Sequence, residues 1–576
     1  MKNSIKTNAN KTNTNKTAMN VSLKDWVKSG SPFIMLNAGA VAISIIMVIG
    51  LIGFIAAKGL VHFWPAEIVE AEYTLPGNAP TNILGQITDS EMVSAIQLKA
   101  IGLKTENNAI EAKRLLLKVG NRDVYGGDFR WVLDHHLTAK NYPDTAMAIE
   151  RREWGNFYGY LDKVYEGNNL VADASQDDAK AWEHFQTLIA RALSIHDSIM
   201  AIQTGEIGSI NYALERLRLK ERSYELDEEL TQERKNELAD KRAELNKEYE
   251  GHQVTLSNLY SELKRDHFVA IETGGKTVDI HMSEVVRAFR PNAMSQFEKI
   301  GHYFDKLGEF LADDPREANT EGGVFPAIFG TVLMVILMAI MVTPLGVVAA
   351  VYLREYAKQG VITNIIRVAV NNLAGVPSIV YGVFGLGFFI YFLGGTIDEL
   401  FFPEALPAPT FGTSGLLWAS ITLALLTLPV VIVATEEGLA RIPRTIREGS
   451  LALGATKWET LTKVVLPMAS PAMMTGVILA VARAAGEVAP LMLVGVVKLA
   501  PSLPLNMNYP YLHLDQKFMH LGFHIYDVGF QSPNVEAARP LVYATALLLV
   551  IVIALLNLSA IAIRNHLREK FKALEM

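Results

Sequence analysis

Apolar positions along this chain gather into six long runs, at residues 33–57, 324–353, 368–393, 416–434, 468–497 and 541–563. Each approaches or exceeds the ~20 residues an α-helix needs to cross a bilayer, so the pattern predicts about six transmembrane helices. The first run is no cleaved leader by its length. Its apolar core exceeds the ~7–15 residues of a signal sequence, and no small-x-small cleavage site follows it. The pattern therefore predicts an all-α polytopic membrane bundle, interrupted once by a large polar insertion at residues 58–322.

The insertion has its own texture. Residues 90–119 carry helical periodicity. Residues 128–133 and 150–161, the latter with Trp154, Phe157, Tyr158 and Tyr160, read as strands. Residues 268–271 and 277–281 flank Gly274-Gly275 and predict a hairpin. From 207 to 267 the chain is nearly all strong helix formers and charges, which predicts one long helical arm. Leu217, Tyr224, Leu238, Leu245 and Leu259 keep a seven-residue beat that Thr231 and His252 interrupt, and the companion positions Glu221, Glu228, Lys235 and Arg242 are polar. Two readings stay open: a solvated helix stiffened by i,i+4 ion pairs, or a coiled-coil-like arm that pairs with a matching arm on a partner. The insertion as a whole reads as α+β.

Charge orients the bundle. The polar tail at residues 1–30 bears Lys2, Lys6, Lys11, Lys16, Lys24 and Lys28 against Asp25, which predicts a disordered cytoplasmic segment. Alternating the runs from there puts 354–367 and 436–463 inside, with Arg564, Arg568, Lys570 and Lys572 at the cytoplasmic C-terminal end (567–576). Residues 394–414 hold Asp398, Glu399 and Glu404 without a base and fall outside, as does the insertion. The rest of the composition mainly excludes. The net charge is −7 over 576 residues, half of them apolar, and no basic aromatic patch appears, so nothing here points to nucleic acid as a partner. With no cysteine, disulfides, zinc–thiolate sites, iron–sulfur clusters and thiol catalysis are ruled out.

Chemistry concentrates in two places. Residues 448–467, EGSLALGATKWETLTKVVLP, lie between the fourth and fifth runs. Segments 450–453 and 458–465 have helical composition, and Gly454 breaks between them. Leu451, Leu453, Trp458, Leu461 and Val465 give the loop an apolar side that it is too short to bury. That side either lies on the membrane interface or plugs into a soluble partner. Further on, Arg483 and Glu487 stand four apart within an apolar run, on one helical face, about sixteen residues or ~24 Å beyond Pro467. Each charge costs ~2.5–3.5 kcal/mol at mid-membrane. The pair is either a structural lock between helices or a cationic site for an anion in transit, for which the planar fork of arginine is suited. Asn371 and Asn372 are polar positions at the start of the third run, ahead of Gly375, Pro377, Gly382, Gly385 and Gly387. Those residues predict either close helix packing or a flexible pathway-lining helix. No GxxxxGK[ST] loop and no HExxH motif is present, so no catalytic site is expected. The adjacent His135 and His136 follow a strand, where neighbours point to opposite faces, and no metal site is expected from them.

The segments NNLAGVPSIVYGVFGLGFF and ARAAGEVAPLML, taken with residues 448–467, resemble the PstA-type permeases of phosphate ABC importers, over residues 324 to about 563 plus the first run. The 448–467 stretch resembles the family's EAA loop: Glu448, then Gly449 and Ser450 where the family has alanines, then Gly454, an aliphatic at Val464, and Leu466-Pro467. The resemblance implies a MetI-like ABC permease core at residues 323–566, in the bacterial inner membrane. It implies a sister permease of the PstC type, a cytoplasmic ATPase of the PstB type and a periplasmic phosphate-binding protein of the PstS type. This chain is then expected to hold no cofactor, ATP being bound by the partner. By the same likeness, Arg483 and Glu487 are the translocation-pathway charges, and Glu448, Gly454 and Pro467 belong to the coupling loop. The large insertion departs from the compact family form. Rival readings are a permease for sulfate, molybdate or another oxyanion, a membrane sensor with an external arm, and a proton-coupled carrier, which would not need the loop.

Overall fold

The computed structural model describes residues 29–75, 79–100, 109–532 and 535–571. Of the basic tail read over residues 1–30, residues 1–28 lie outside these, as does the terminal Lys572. The chain divides into two units, residues 1–57 and 58–576. The first contributes most of helix α1 (Ser31–Leu60), whose residues 33–54 are mostly apolar and exposed.

The second unit opens with two antiparallel sheets. Strands β1 (Ile68–Tyr73), β2 (Thr81–Ser94), β3 (Glu111–Lys118), β4 (Phe129–Leu133) and β5 (Leu137–Asn141) form a sheet in the order β4-β3-β2-β1-β5. Strands β6 (Met147–Arg151), β7 (Phe157–Glu166), β8 (Asn169–Asp173), β9 (His267–Ile271), β10 (Thr277–His281) and β11 (Val285–Phe289) form another, ordered β10-β9-β7-β6-β11 with β8 also on β7. Ile68 and Leu84 of the first sheet share one core with Ala148, Tyr158 and Phe289 of the second. The helix expected over 90–119 is overturned where the structure describes it. Ser94 to Glu111 and Gln86 to Lys118 pair as a ribbon, with only Ala95–Ala100 helical. The run at 150–161 is two strands joined by a turn at Trp154 and Gly155, both at positive φ. The hairpin at β9–β10 is as expected.

Helix α2 (Asp178–Ala201) is started by Asp177, whose side chain accepts from the Lys180 N–H. It lays Phe185, Leu188 and Ile189 on Phe157 and Phe268 of the second sheet. Phe185 is fully buried, a contribution of about 1.5–3 kcal/mol. The single arm expected at 207–267 is instead two helices, α3 (Gly208–Leu226) and α4 (Gln232–Leu263), folded on each other through a turn in which Glu228 takes φ 55°. Arg242 of α4 pairs with Glu221 of α3 at 2.7 Å, and Arg234 lies 4.5 Å over the Tyr224 ring. Leu238 is buried, and Leu256 and Leu263 pack into the α2 core. Part of the seven-residue beat is thus satisfied within the chain. The base of α3 reaches the bundle: Tyr212 donates to the Tyr509 carbonyl, Arg216 lies 5.4 Å over the Tyr509 ring, and α3 packs on the turn Pro403–Ala405.

A buried ionic knot ties the sheets to helix α5 (Gln296–Ala312), which has a Ser295–Glu298 capping box. Lys306 pairs with Glu150 at 2.9 Å and with Glu309 at 3.0 Å, and Glu309 also takes Arg316 at 2.5 Å and Arg287 at 3.2 Å. Burial opposes ionisation of Glu150, but Lys306 and Arg287 outweigh it and hold the carboxyl down to about 2. A folded value below the unfolded one means the stabilisation is complete above about pH 4.5 and is lost as pH falls toward 2. Glu150→Gln is therefore expected to lower the unfolding temperature at pH 7, near the lower end of the ~3–5 kcal/mol cost of breaking a buried pair, since Lys306 keeps Glu309. The variant should also flatten the decline between pH 5 and 2. Thermal unfolding of the full chain across that range checks both.

Among the described residues, six helices are long and apolar enough to cross a membrane: Pro32–Phe63, Phe325–Tyr356, Ser378–Phe401, Leu416–Arg441, Lys457–Gly486 and Ala538–Glu569. α6 (Phe325–Val351), α8 (Leu416–Arg441), α10 (Leu466–Gly486) and α13 (Val535–Phe571) belong to these spans, and between them lie α7 (Val361–Leu373, a separate amphipathic helix), α9 (Arg444–Ala452), α11 (Leu491–Val494) and α12 (Leu521–Tyr526). The third span starts at Ser378, not 368, because the chain breaks at Pro377. The fifth ends at Gly486, not 497, because Glu487 turns extended and α11 folds back against the third span and α8. Helix α8 is the central one, with 67% of its apolar stretch buried against 6% for the last span. It meets α10 closely through facing small residues. A Cβ on Gly438 would stand 2.5 Å from Ala472 Cβ, and one on Gly476 would stand 2.7 Å from Ala434 Cβ.

Candidate functional site

The loop after α8 is built by its punctuation. Pro443 precedes α9, and Gly454 takes φ 89° beyond its end, the left-handed conformation that closes a helix most easily with glycine. Thr456 and Glu459 form a capping box that restarts the helix. Ser450 and Thr460 hydroxyls meet at 2.9 Å across the turn. The loop is clamped to the end of the second span. Arg447 donates to Glu355 at 2.9 Å and to the Leu439 and Ile442 carbonyls at 2.8 and 2.7 Å. Lys457 donates to the Glu355 carbonyl at 2.8 Å.

Two of the five apolar positions read as exposed are not. Leu461 and Val465 are buried with Val351, Leu439 and Ile442, since the helix continues into the fifth span and carries them into its core. What remains outward is a compact edge: Leu451, Leu453 at 91% exposure and Trp458 at 66%. Glu448 and Gly449 are exposed beside it, and a Cβ on Gly449 or Gly454 would meet open space. Leu466 and Pro467 do not end the helix; the turn at Leu461–Val465 is wound wide, and the helix runs on through Pro467, whose missing N–H that turn absorbs.

Arg483 lies in the last turn of α10, and Glu487 caps it with ψ 131°. The two side chains meet, Arg483 Nε to Glu487 Oε1 at 3.4 Å, a single long contact and not a fork. They are 33% and 21% exposed, so the pair is accessible, and among the described residues the guanidinium Nη groups have no hydrogen-bond partner. The helix ends three residues later, and a cation in its last turn is favoured by the helix dipole. The bend at Glu487 brings Pro490 onto Gly382, where a Cβ would stand 2.7 Å from Pro490 Cα. Gly385 likewise abuts Thr422, whereas Gly387 meets nothing, so packing accounts for Gly382 and Gly385 but not Gly387. Asn371 and Asn372 are exposed near the end of α7. The nearest link to the pair runs through Tyr381, which donates to the Leu373 carbonyl at 2.6 Å and lies within electrostatic reach of Arg483. No hydrogen bond among the described residues joins either asparagine side chain to Arg483.

Sequence reading missed a polar cluster at the opposite end from the loop. Asp527, 1% exposed, takes Lys498 at 3.1 Å beside His524 and Asn319. Burial pushes His524 down to about 4. The signal was present in GFHIYDVGF, where a histidine and an aspartate stand three apart among apolar residues. His135 and His136 form a helical turn with Asp134 instead of a strand, with rings 4.3 Å apart. No group of three or more metal-ligating side chains occurs among the described residues.

Residues 342–573 match the family described as the binding-protein-dependent transport system inner membrane component. The chain is 36% identical over 245 residues to the phosphate transport system permease protein PstA 1 of Mycobacterium tuberculosis, covering 42% of this chain and 71% of that one. It is 34% identical over 206 residues to a probable ABC transporter permease protein, YqgH, of Bacillus subtilis, covering 34% of this chain and 62% of that one. Thus it spans less than two thirds of the Bacillus relative. Among solved structures, the MetNI methionine ABC transporter in an inward-facing form is similar over 42% of this chain and 94% of that chain, at 20% identity and a TM-score of 0.31.

Proposed function

Since this chain belongs to the PstA-type family of ABC permeases, inner-membrane components of binding-protein-dependent transport systems with the MetI-like fold, we propose that it is a membrane-spanning subunit of an ATP-driven importer of inorganic phosphate. The observation that carries the coupling is the outward edge of Leu451, Leu453 and Trp458, closed by Gly454 and clamped by Arg447 to Glu355. A rigid apolar edge tied to the end of a span is what a motor subunit needs to move that span. ATP is bound and hydrolysed by a partner of the PstB type. A sister permease of the PstC type completes the pathway, and a PstS-type protein delivers phosphate from outside. Arg483 meets the anion in transit, with Glu487 limiting how tightly it is held.

Uptake of radiolabelled phosphate in a strain lacking this chain, restored by its return, tests the substrate. Restoration of sulfate or molybdate uptake instead would favour the other oxyanion reading.

In this reading both termini and the 448–467 loop face the cytoplasm, and the insertion lies outside. The chain has no native thiol to compete, and Glu237 on α4 is exposed and pairs with Lys241 at 2.5 Å. Glu237→Cys is expected to react with a membrane-impermeant maleimide in cells with a permeabilised outer layer. Labelling that appears only after inner-membrane lysis would invert the topology.

A further inference from the structure

Helix α5 is turned inside out. At one turn's spacing, Lys299, His302, Lys306 and Glu309 point into the protein, with Lys299 and Glu309 only 5% and 8% exposed. Lys299 reaches Glu67 at 3.1 Å, and Lys306 and Glu309 join the buried ionic knot. The opposite face is apolar and open: Phe297 is 88% exposed, Phe304 63%, Ile300 45% and Leu311 38%. At 100° per residue these four fall on one stripe that also includes Gly301 and Gly308, while Glu298 and Asp305 lie along its edge. A helix in water carries the reverse pattern, charges outward and apolar residues inward. The medium beyond this stripe is therefore apolar.

The position of α5 says which apolar medium. Its inner edge, Tyr303, Leu307 and Phe310, packs with Phe63 and with the first residues of two spans, Val324 and Ala327 on one and Ala538 and Leu541 on another. Trp64 stands 6.3 Å from Tyr303 and is 41% exposed. The helix thus sits at the level where spans leave the bilayer, the zone in which aromatic side chains collect. We propose that α5 is an interfacial foot: its Phe297–Phe304–Leu311 stripe enters the headgroup–acyl boundary of the leaflet at that end of the spans and rests the insertion on lipid. The inference depends on the spans being in a membrane and not on which anion is carried.

The cysteine-free chain permits a direct test. Spin labels are placed through Phe297→Cys, Phe304→Cys and Leu311→Cys, with Glu298→Cys and Asp305→Cys as edge references. The full chain, with the subunits that co-purify, is held in phosphatidylethanolamine–phosphatidylglycerol nanodiscs. The stripe positions should be reached by oxygen, which partitions into lipid, in preference to a water-soluble nickel chelate, and the edge positions should show the opposite preference. Nickel preference at every position would place the stripe in water and overturn the proposal. Protection of the stripe from both reagents would assign it to a protein neighbour and overturn it equally. Transport is not read in this test, so failure of the phosphate assignment leaves its outcome untouched.

Discussion

Arg483→Ala is expected to abolish phosphate uptake while the complex still assembles. Losing the charge-assisted hydrogen bonds that the guanidinium would make to the anion costs about 1.5–3 kcal/mol, a fall of at least ~10-fold. In this chain the loss has a specific origin. The guanidinium touches protein through one 3.4 Å contact and leaves its Nη donors open, so what disappears is a set of donors that α10 does not need for itself. The remaining Glu487 then repels an oncoming anion. Arg483→Lys keeps the charge without the fork and should restore uptake poorly. The decisive variant is Arg483→Leu with Glu487→Leu. If the pair only locks helices, an apolar replacement is tolerated, and both assembly and uptake recover. If the arginine meets substrate, assembly recovers and uptake does not. Uptake measured beside the yield of intact complex separates the two.

The second large effect is expected at the loop. Leu453 is 91% exposed and contacts almost nothing within the chain, so Leu453→Asp should alter stability by no more than about 0.5 kcal/mol. Against a docked ATPase the same change puts a charge where an apolar anchor belongs, and anchors of this kind carry ~2 kcal/mol or more. Transport-linked ATPase stimulation should fall at least ~10-fold in proteoliposomes, with the chain still folded. Gly454→Asp should act in the same direction for two reasons, the added charge and the cost of φ 89° for a residue with a Cβ, about 1–2 kcal/mol. Normal uptake and normal stimulation in both variants would remove this edge from the coupling path.

The spans were legible because a run of ~20 apolar residues admits few alternatives. Their ends were less so. Residues 368–373 and 487–497 run on from the spans beside them with mostly apolar side chains, and the breaks at Pro377 and Glu487 set them apart. The loop's punctuation was readable, since Gly454 and the Thr456–Glu459 box act locally. Its exposed face was only partly so, because burial of Leu461 and Val465 depends on α6 and α8. In the insertion, the stretch around residues 90–119 has helical spacing, yet β2 and β3 pair there, context overriding propensity. The arm's turn carries no glycine or proline; Thr231, which accepts from the Arg234 N–H as an N-cap, was the one local sign of a new helix. The Arg483–Glu487 pairing was legible from spacing, but the break between them was not.

The docking of α3 on the bundle has a mechanical side. Tyr212 and Arg216 hold Tyr509, between the fifth and sixth spans, while the same helix leans on Pro403–Ala405, between the third and fourth. One helix therefore bridges two rims at one end of the bundle. Any cycle that spreads those rims must slide the helix or peel it from one of them, and each hydrogen bond surrendered costs about 0.5–1.5 kcal/mol. In the proposed transport cycle the helix would resist spreading of the two rims and favour the state that keeps both contacts.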